Sequence, residues 1–519
     1  MNKLYFYSKG QIPMKLISAL LIGLGISLLA AGVVLAQDDA TNTSFLLSTT
    51  ADHSKFEVLQ GPFATGPDVT AACLTCHTEA AQQVMATSHW TWLSEDPETG
   101  EMLGKQNIIN NYCVAIESNE PRCTSCHTGY GWRDETFDFT SEVNVDCVVC
   151  HDTTGTYKKL PTGAGHPVYE PTVVNGVTWE PPDLTLIAQN VGPTSRETCG
   201  ACHFYGGGDD AVKHGDLDSS LVNPDYSLDV HMSPDGANFT CSTCHAGEGH
   251  QIAGSRYGIT VFDEHGIDYP GHDDGDPATC ESCHGLTPHD PEAKIDGQKD
   301  GGQDLNEHAE FIACQTCHIP EYARAQPTKM FWDWSTAGQR NEDGSIIVTV
   351  NEEGDIVYDS RKGSFVWEAN VIPEYLWLTG DMDFVTLGEE IDPSGMVYIN
   401  APEIDSDHGR LYPVKRFTGL QPYDPVNNLL IIPHLYPYGP DDMTAFWKVW
   451  DLELAFETGM ADAELPYSGE YAYVETTMYW PITHMVAPAS DALSCLACHT
   501  DENSRMEFVE DVHVKSLDD

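Results

Sequence analysis

Sixteen of the 17 cysteines stand in eight copies of one pattern, Cys-x-x-Cys-His. In chain order these are Cys73/Cys76/His77, Cys123/Cys126/His127, Cys147/Cys150/His151 and Cys199/Cys202/His203. Cys241/Cys244/His245, Cys280/Cys283/His284, Cys314/Cys317/His318 and Cys495/Cys498/His499 follow. Two intervening residues let both thiols reach the vinyl groups on one edge of a haem, and the next residue then falls beneath the iron as its proximal ligand. Zinc would need pairs of Cys-x-x-Cys sharing one tetrahedral ion, and would not require a histidine after every pair. Disulfides within such short loops would add little to a large domain. The pattern therefore predicts eight covalently bound haem c groups, with the eight motif histidines as proximal iron ligands.

Each iron also needs, or deliberately lacks, a second axial ligand. Fourteen histidines lie outside the motifs. His89, His166, His214, His231, His250, His289, His308 and His484 sit near motifs in compact settings and are the candidate distal ligands. His53, His265, His272, His408, His434 and His513 have no such context. A bis-histidine iron is saturated and only carries electrons, whereas catalysis needs an open or displaceable position. Lysine is the alternative ligand, since burial and a nearby metal both favour the neutral amine. Lys158, Lys159 and Lys213 cluster near the motifs. The remaining cysteine, Cys113, stands ten residues upstream of Cys123 in "CVAIESNEPRCTSCHTGYGW". It is either a substrate-facing thiol or an inert buried one.

Residues 1–36 predict an export signal. Lys3, Lys9 and Lys15 precede an apolar run that ends in Val34-Leu35-Ala36, a small-residue cleavage pattern. The same run is about long enough to serve instead as a retained membrane anchor. Cleavage after Ala36 would leave a periplasmic or extracellular protein with no membrane span. Three of the 25 basic residues and none of the 80 acidic ones precede residue 37, so the remainder carries −58. Such a surface repels nucleic acid and suits a basic redox partner or a saline habitat.

These haems set the expectation for the elements that position them. Eight haems in one chain of 519 residues would form much of the apolar core, giving a mainly α, loop-rich multihaem cytochrome c. Seven motifs fall in residues 37–330, and the eighth in a C-terminal segment, 491–519. The intervening 331–490 predict a small α+β insertion that either packs on the haem region or covers the active haem. Within it "SIIVTVNEEGDIVYDS" predicts a β-hairpin, and "DDMTAFWKVWDLELAFETG" a capped helix. After the first motif, "HTEAAQQVMATSHWTW" places Ala81, Met85 and His89 on one helical face. "GHDDGDP" and "DGQKDGGQD" predict loops.

"NYCVAIESNEPRCTSCHTGYGW", "VDCVVCHDTTGTYKK", "CGACHFYGGGDDAVKHGDLDSSL" and "KMFWDWSTAGQR" resemble the octahaem tetrathionate reductases. These are periplasmic cytochromes related to the hydroxylamine oxidoreductase and pentahaem nitrite reductase group, and the resemblance spans most of the chain. It implies seven bis-histidine haems and a second haem, on Cys123/Cys126/His127, with a lysine distal ligand at the active site. Carried over, the ligand is Lys158 or, one register later, Lys159. Cys113, Asp152 and Lys213 become pocket residues, Asp152 as a proton donor. The residues alone equally allow Asp152 to orient the His151 region. The implied reaction is two-electron cleavage of tetrathionate to thiosulfate, with electrons from a donor protein or quinol-linked cytochrome. Nitrite or hydroxylamine reduction, and a non-catalytic electron conduit, are the other readings.

Overall fold

The computed structural model describes residues 50–95, 99–112, 114–174, 176–264, 266–267, 278–500 and 502–510. The leader 1–36, Cys113, the "GHDDGDP" stretch, His265, His272 and His513 lie outside the described residues. No helix among the described residues is long and apolar enough to cross a membrane.

Every motif sits on or at the end of a short helix. The spans include Gly66–Cys73, Glu120–Cys123, Val148–His151, Arg196–His203, Glu281–His284 and Cys314–His318. The spacing explains this, because residues i, i+3 and i+4 are neighbours on a helix surface. One helical turn thus brings both thiols and the histidine to the same side. Single turns are not stable alone, and local devices hold them. Thr65 and Asp68 form a capping box at Gly66–Cys73, and Ser195 and Thr198 do so at Arg196–His203.

The largest regular structure is a nine-stranded sheet, and this overturns the expectation of a mainly α chain with a small β-containing insertion. Its strands are β1 Thr328–Asp333, β2 Val348–Val350, β3 Ile356–Asp359 and β4 Gly363–Glu368. They continue with β5 Glu374–Phe384, β6 Val397–Ile404, β7 Arg410–Asp424, β8 Leu429–Leu430 and β9 Ala472–Pro481. The longest described helix has 11 residues, whereas β7 has 15. Strand order is β5-β6-β9-β7-β1-β4-β3-β2, with β8 on β7 and β5 also pairing with β7. The last pairing closes β5, β6, β9 and β7 into a ring. β7 makes this possible by its length. Arg410–Val414 pairs with β5, and Val414–Tyr423 pairs with β9 from Pro481 back to Ala472. Trp332, Phe417 and Trp480 are almost wholly buried here, each contributing on the order of 2 kcal/mol through burial.

The expected hairpin is β2 and β3, paired Val348 to Asp359. The expected helix over "DDMTAFWKVWDLELAFETG" is two helices, Phe446–Val449 and Leu452–Asp462. Trp450 takes φ 63° between them, and the Asp451 side chain caps the second by accepting from Leu454 N–H. The run after the first motif also divides, into Ala80–Met85 and Ser88–Thr91. "DGQKDGGQD" is a loop only in its first half. Gly301 and Gly302 open the helix Gly301–His308, where a Cβ on Gly302 would collide with the Asp290 carbonyl.

The sheet grips the segment leading into the second motif. Ile109 N–H donates to Val385 O at 2.9 Å and Trp334 Nε1–H to Asn111 O at 3.1 Å. Thr476 Oγ1 donates to Asn111 Oδ1 at 2.6 Å. Ser118 is buried against His434 Nδ1 at 2.8 Å and Asp462 Oδ2 at 2.7 Å. Ile109, Asn111 and Ser118 are thereby fixed to the sheet and to the segments beside it, ahead of the helix that carries Cys123.

Candidate functional site

With metal–imidazole bonds of about 2 Å, two rings on opposite faces of one iron have centroids about 6 Å apart. Seven motif histidines meet a second histidine at this separation. The pairs are His77 with His53 at 6.4 Å, His151 with His250 at 6.4 Å, and His203 with His89 at 6.1 Å. His245 meets His484 at 6.2 Å, His284 meets His231 at 5.9 Å, His318 meets His289 at 6.3 Å and His499 meets His308 at 5.9 Å. Nδ1 of His151 lies 2.8 Å from Gly192 O, and Nδ1 of His245 lies 2.9 Å from Ala253 O. That arrangement leaves Nε2 for a metal. Cys495, His499 and His308 line a common cavity of about 290 Å³. The residues present fit haem c.

The cysteines show how the attachment sites adjoin. Thiols of Cys73 and Cys147, Cys126 and Cys202, Cys199 and Cys241, and Cys280 and Cys314 lie within hydrogen-bonding reach. Cys244 lies near Cys283, Cys317 near Cys498 and Cys199 near Cys150. The eight sites therefore adjoin one another.

The first motif's helix ends at Cys73, and Cys76 stands on the turn beyond, its sulfur 3.8 Å from Thr75 Oγ1.

Six of the expected distal ligands, His89, His231, His250, His289, His308 and His484, face motif histidines. His166 does not. It stacks on Tyr130 at 5.4 Å, with Nδ1 2.8 Å from Tyr169 OH. His214 does not either, being packed edge-on against Trp480 at 4.8 Å. His53, which had no motif nearby in sequence, takes the place beside His77. The signal that could have found it is positional, since it is the one histidine upstream of the first motif. His53→Ala is expected to turn one haem from low to high spin without loss of haem, read by electron paramagnetic resonance.

His127 differs from the other seven. Its ring is fully buried among Trp90, Trp92, Trp132, Phe137 and Phe139, with centroids 5.0–6.2 Å away. No second histidine stands opposite it among the described residues. Of the two candidate lysines, Lys158 is exposed. Lys159 is interior, its ammonium 3.0 Å from Asp146 Oδ2 and donating to His127 O at 2.5 Å. Asp146 also accepts from Tyr130 OH at 2.7 Å and Tyr157 OH at 2.8 Å. Asp152 is committed to its own turn. Its carboxylate accepts from Thr154 N–H at 2.8 Å, Thr154 Oγ1–H at 2.7 Å and Tyr157 N–H at 3.1 Å. Asp152 does not line the cavity described next.

Beside Cys123 and Cys126 lies a cavity of about 70 Å³ whose lining includes Lys105, Arg122, Lys213, Arg256 and Lys362. Five cations around one small space is unexpected in a chain of net charge −55. Tyr112 and Ala115, which flank Cys113 in sequence, also line it. Trp480 carries two of the cations, with Lys213 Nζ 4.6 Å and Arg256 Cζ 4.1 Å from its ring. Burial, then Arg256 and Lys105, hold the Lys213 amine well below the usual lysine range. Arg256 Nη2 is buried without a hydrogen-bond partner. Sequence reasoning identified Lys213 and missed the other four, which are scattered from residue 105 to 362. Glu120, on the helix that carries Cys123 and outside the cavity lining, has a buried carboxyl pushed up to about 8 by burial, with Glu117 and Asp462 adding.

Histidine-paired Cys-x-x-Cys-His helices in contiguous array define a multihaem c-type cytochrome. A family model described as "Cytochrome c bacterial" matches residues 329–502, and one described as "Cytochrome c554 and c-prime" matches residues 72–152. A protein of Archaeoglobus fulgidus, described as uncharacterized, is 23% identical over 280 residues, covering 46% of this chain and 93% of its own length. The crystal structure of octaheme cytochrome c from Shewanella oneidensis is similar with 43% identity and a TM-score of 0.73, covering 87% of this chain and 94% of that one. The chain belongs to the octahaem cytochrome c family, in which the octahaem tetrathionate reductases are found. It is a redox protein with covalently bound haem c.

Proposed function

We propose that the protein is an exported octahaem reductase that cleaves tetrathionate to thiosulfate at the second motif, fed by seven bis-histidine haems. The observation that carries this reading is the cavity lined by basic side chains at the one motif whose histidine faces no other among the described residues. Haem held there by Cys123, Cys126 and His127 would supply electrons, and Lys158 is the candidate for a displaceable amine beside it. Arg256, Arg122 and Lys105 neutralise the two sulfonates of the substrate, with the Lys213 amine as a further hydrogen-bond donor. The Cys113 thiolate attacks one inner sulfur, breaking the central S–S bond. One thiosulfate leaves, and Cys113 is left carrying a sulfur–sulfonate group in a mixed disulfide. Two electrons then restore the thiolate and release the second thiosulfate. No proton is consumed, which agrees with an Asp152 carboxylate occupied elsewhere.

Nitrite is favoured by one observation, the cavity's size. At roughly 10–15 Å³ per water, it holds only a few small molecules, so tetrathionate must displace side chains. Steady-state assay with a reduced dye against tetrathionate, nitrite and hydroxylamine on one preparation separates the readings. Tetrathionate should give the highest kcat/KM, and activity on nitrite alone overturns the proposal. Intact mass should exceed that of the polypeptide beginning at Gln37 by eight haems. Recovery of seven or fewer in matured protein contradicts the octahaem assignment.

A further inference from the structure

Lys415, in the middle of β7, has no solvent exposure. Its ammonium donates to Val212 O at 3.1 Å, Lys213 O at 3.1 Å and Thr328 Oγ1 at 2.6 Å. An ammonium has three hydrogens, and here three acceptors take them. It forms no ion pair with a carboxylate among the described residues. Fully buried lysines are rare, and burying a charge costs stability that an apolar residue of similar volume would not. The sheet gains nothing from this charge that methionine could not supply. What the charge does secure is a short piece of backbone outside the sheet.

That piece is Ala211 to Lys213. Two of the three acceptors are its carbonyls, and the third, Thr328 on β1, donates onward to Ala211 O at 2.6 Å. Tyr112 OH adds a bond to Lys213 O at 3.3 Å. The backbone of Lys213 is thus tied to two strands, while its side chain stands over Trp480 in the cavity wall. We infer that Lys415 is a positioning residue that fixes the Val212–Lys213 backbone, aims Lys213 into the cavity and thereby sets its affinity for anions without touching them. The inference rests on the reading of this cavity as an oxyanion site. The groups facing Lys415 are Lys213 and Asp216 from the segment it holds, Tyr112, Thr328 from β1, and Phe417 on its own strand with its ring 5.6 Å away. Burial brings the Lys415 amine down to about 7, with Asp216 opposing. A neutral amine has two hydrogens for three acceptors, so the tether weakens as pH rises through that value.

The test is a double-mutant cycle in the holoprotein, with KM, kcat, haem content and melting temperature measured for Lys415→Met, Lys213→Met and the double variant. Lys415→Met should raise KM for tetrathionate or nitrite about tenfold, the equivalent of about 1.4 kcal/mol, with kcat changed less than about twofold. KM for hydroxylamine, which carries no negative charge, should not move. The double variant should be no worse than Lys213→Met alone, because Lys415 acts through Lys213. Losses that multiply, or an unchanged KM in folded, haem-replete Lys415→Met, overturn the inference. If Lys415→Met fails to fold, Thr328→Val removes one acceptor and should give the same non-additive pattern, a multiplying loss again overturning it. If neither oxyanion is turned over, the cavity reading itself fails. The coupling is then read from calorimetric binding of sulfate alone to the oxidised holoprotein, where independent losses count against Lys415.

Discussion

Cys113→Ser is expected to lower tetrathionate turnover by at least about a hundredfold while leaving every haem attached. Thiolate and alkoxide differ in availability near neutral pH, and serine changes volume little, so the substitution tests chemistry more than packing. The attacking group must also accept a sulfur and then release it on reduction. A sulfur–sulfur bond does this reversibly, and an oxygen does not. Nitrite and hydroxylamine reduction need only an accessible iron and should fall much less. Equal loss on all three substrates would indicate a packing or access role for Cys113. Unchanged turnover on all of them would make the thiol a bystander.

The second large effect separates two adjacent lysines. Lys158→Ala should convert the haem of the second motif to high spin, seen by electron paramagnetic resonance, with little change in melting temperature. Lys159→Ala should do the opposite. Its ammonium and the Asp146 carboxylate are buried to 6% and 0% side-chain exposure, and breaking such a pair costs about 3–5 kcal/mol because a buried charge is left behind. The Lys159 amine is engaged by Asp146 and His127 O, whereas exposed Lys158 makes no ion pair among the described residues. A spin change in Lys159→Ala, with none in Lys158→Ala, would move the assignment one residue along. Spectra showing eight equivalent bis-histidine haems in the unaltered protein would favour an electron conduit.

Much of the chemistry was legible because it is written locally. Cys-x-x-Cys-His is complete within five residues, and one helical turn suffices to present it. Which histidine faces which motif depends on packing, and sequence proximity does not give it: His250 follows the fifth motif but faces His151 of the third, and His89 follows the first but faces His203 of the fourth. His53, upstream of the first motif, faces His77. His214 instead packs against Trp480, distant in sequence. The sheet was underestimated for a different reason. Its central strand β7 contains Pro413 and Pro422, and proline argues against an interior strand. β7 tolerates them because its partners change along its length, with β5 at one end and β9 at the other. Trp450, in the left-handed region, broke a helix that the apolar spacing had run together. The cationic cavity was invisible because its five side chains come from segments joined only by the sheet.

The thiol neighbourhoods bear on wiring. Cys126 neighbours Cys202, and Cys199 of the same fourth motif neighbours Cys241 and lies near Cys150. On the proposed reading, the second site would branch from the fourth, with electrons held on the haems of the third and fifth motifs reaching it through that junction. For a bond that breaks by a two-electron step, two stores one transfer from the junction would shorten the life of any half-reduced species.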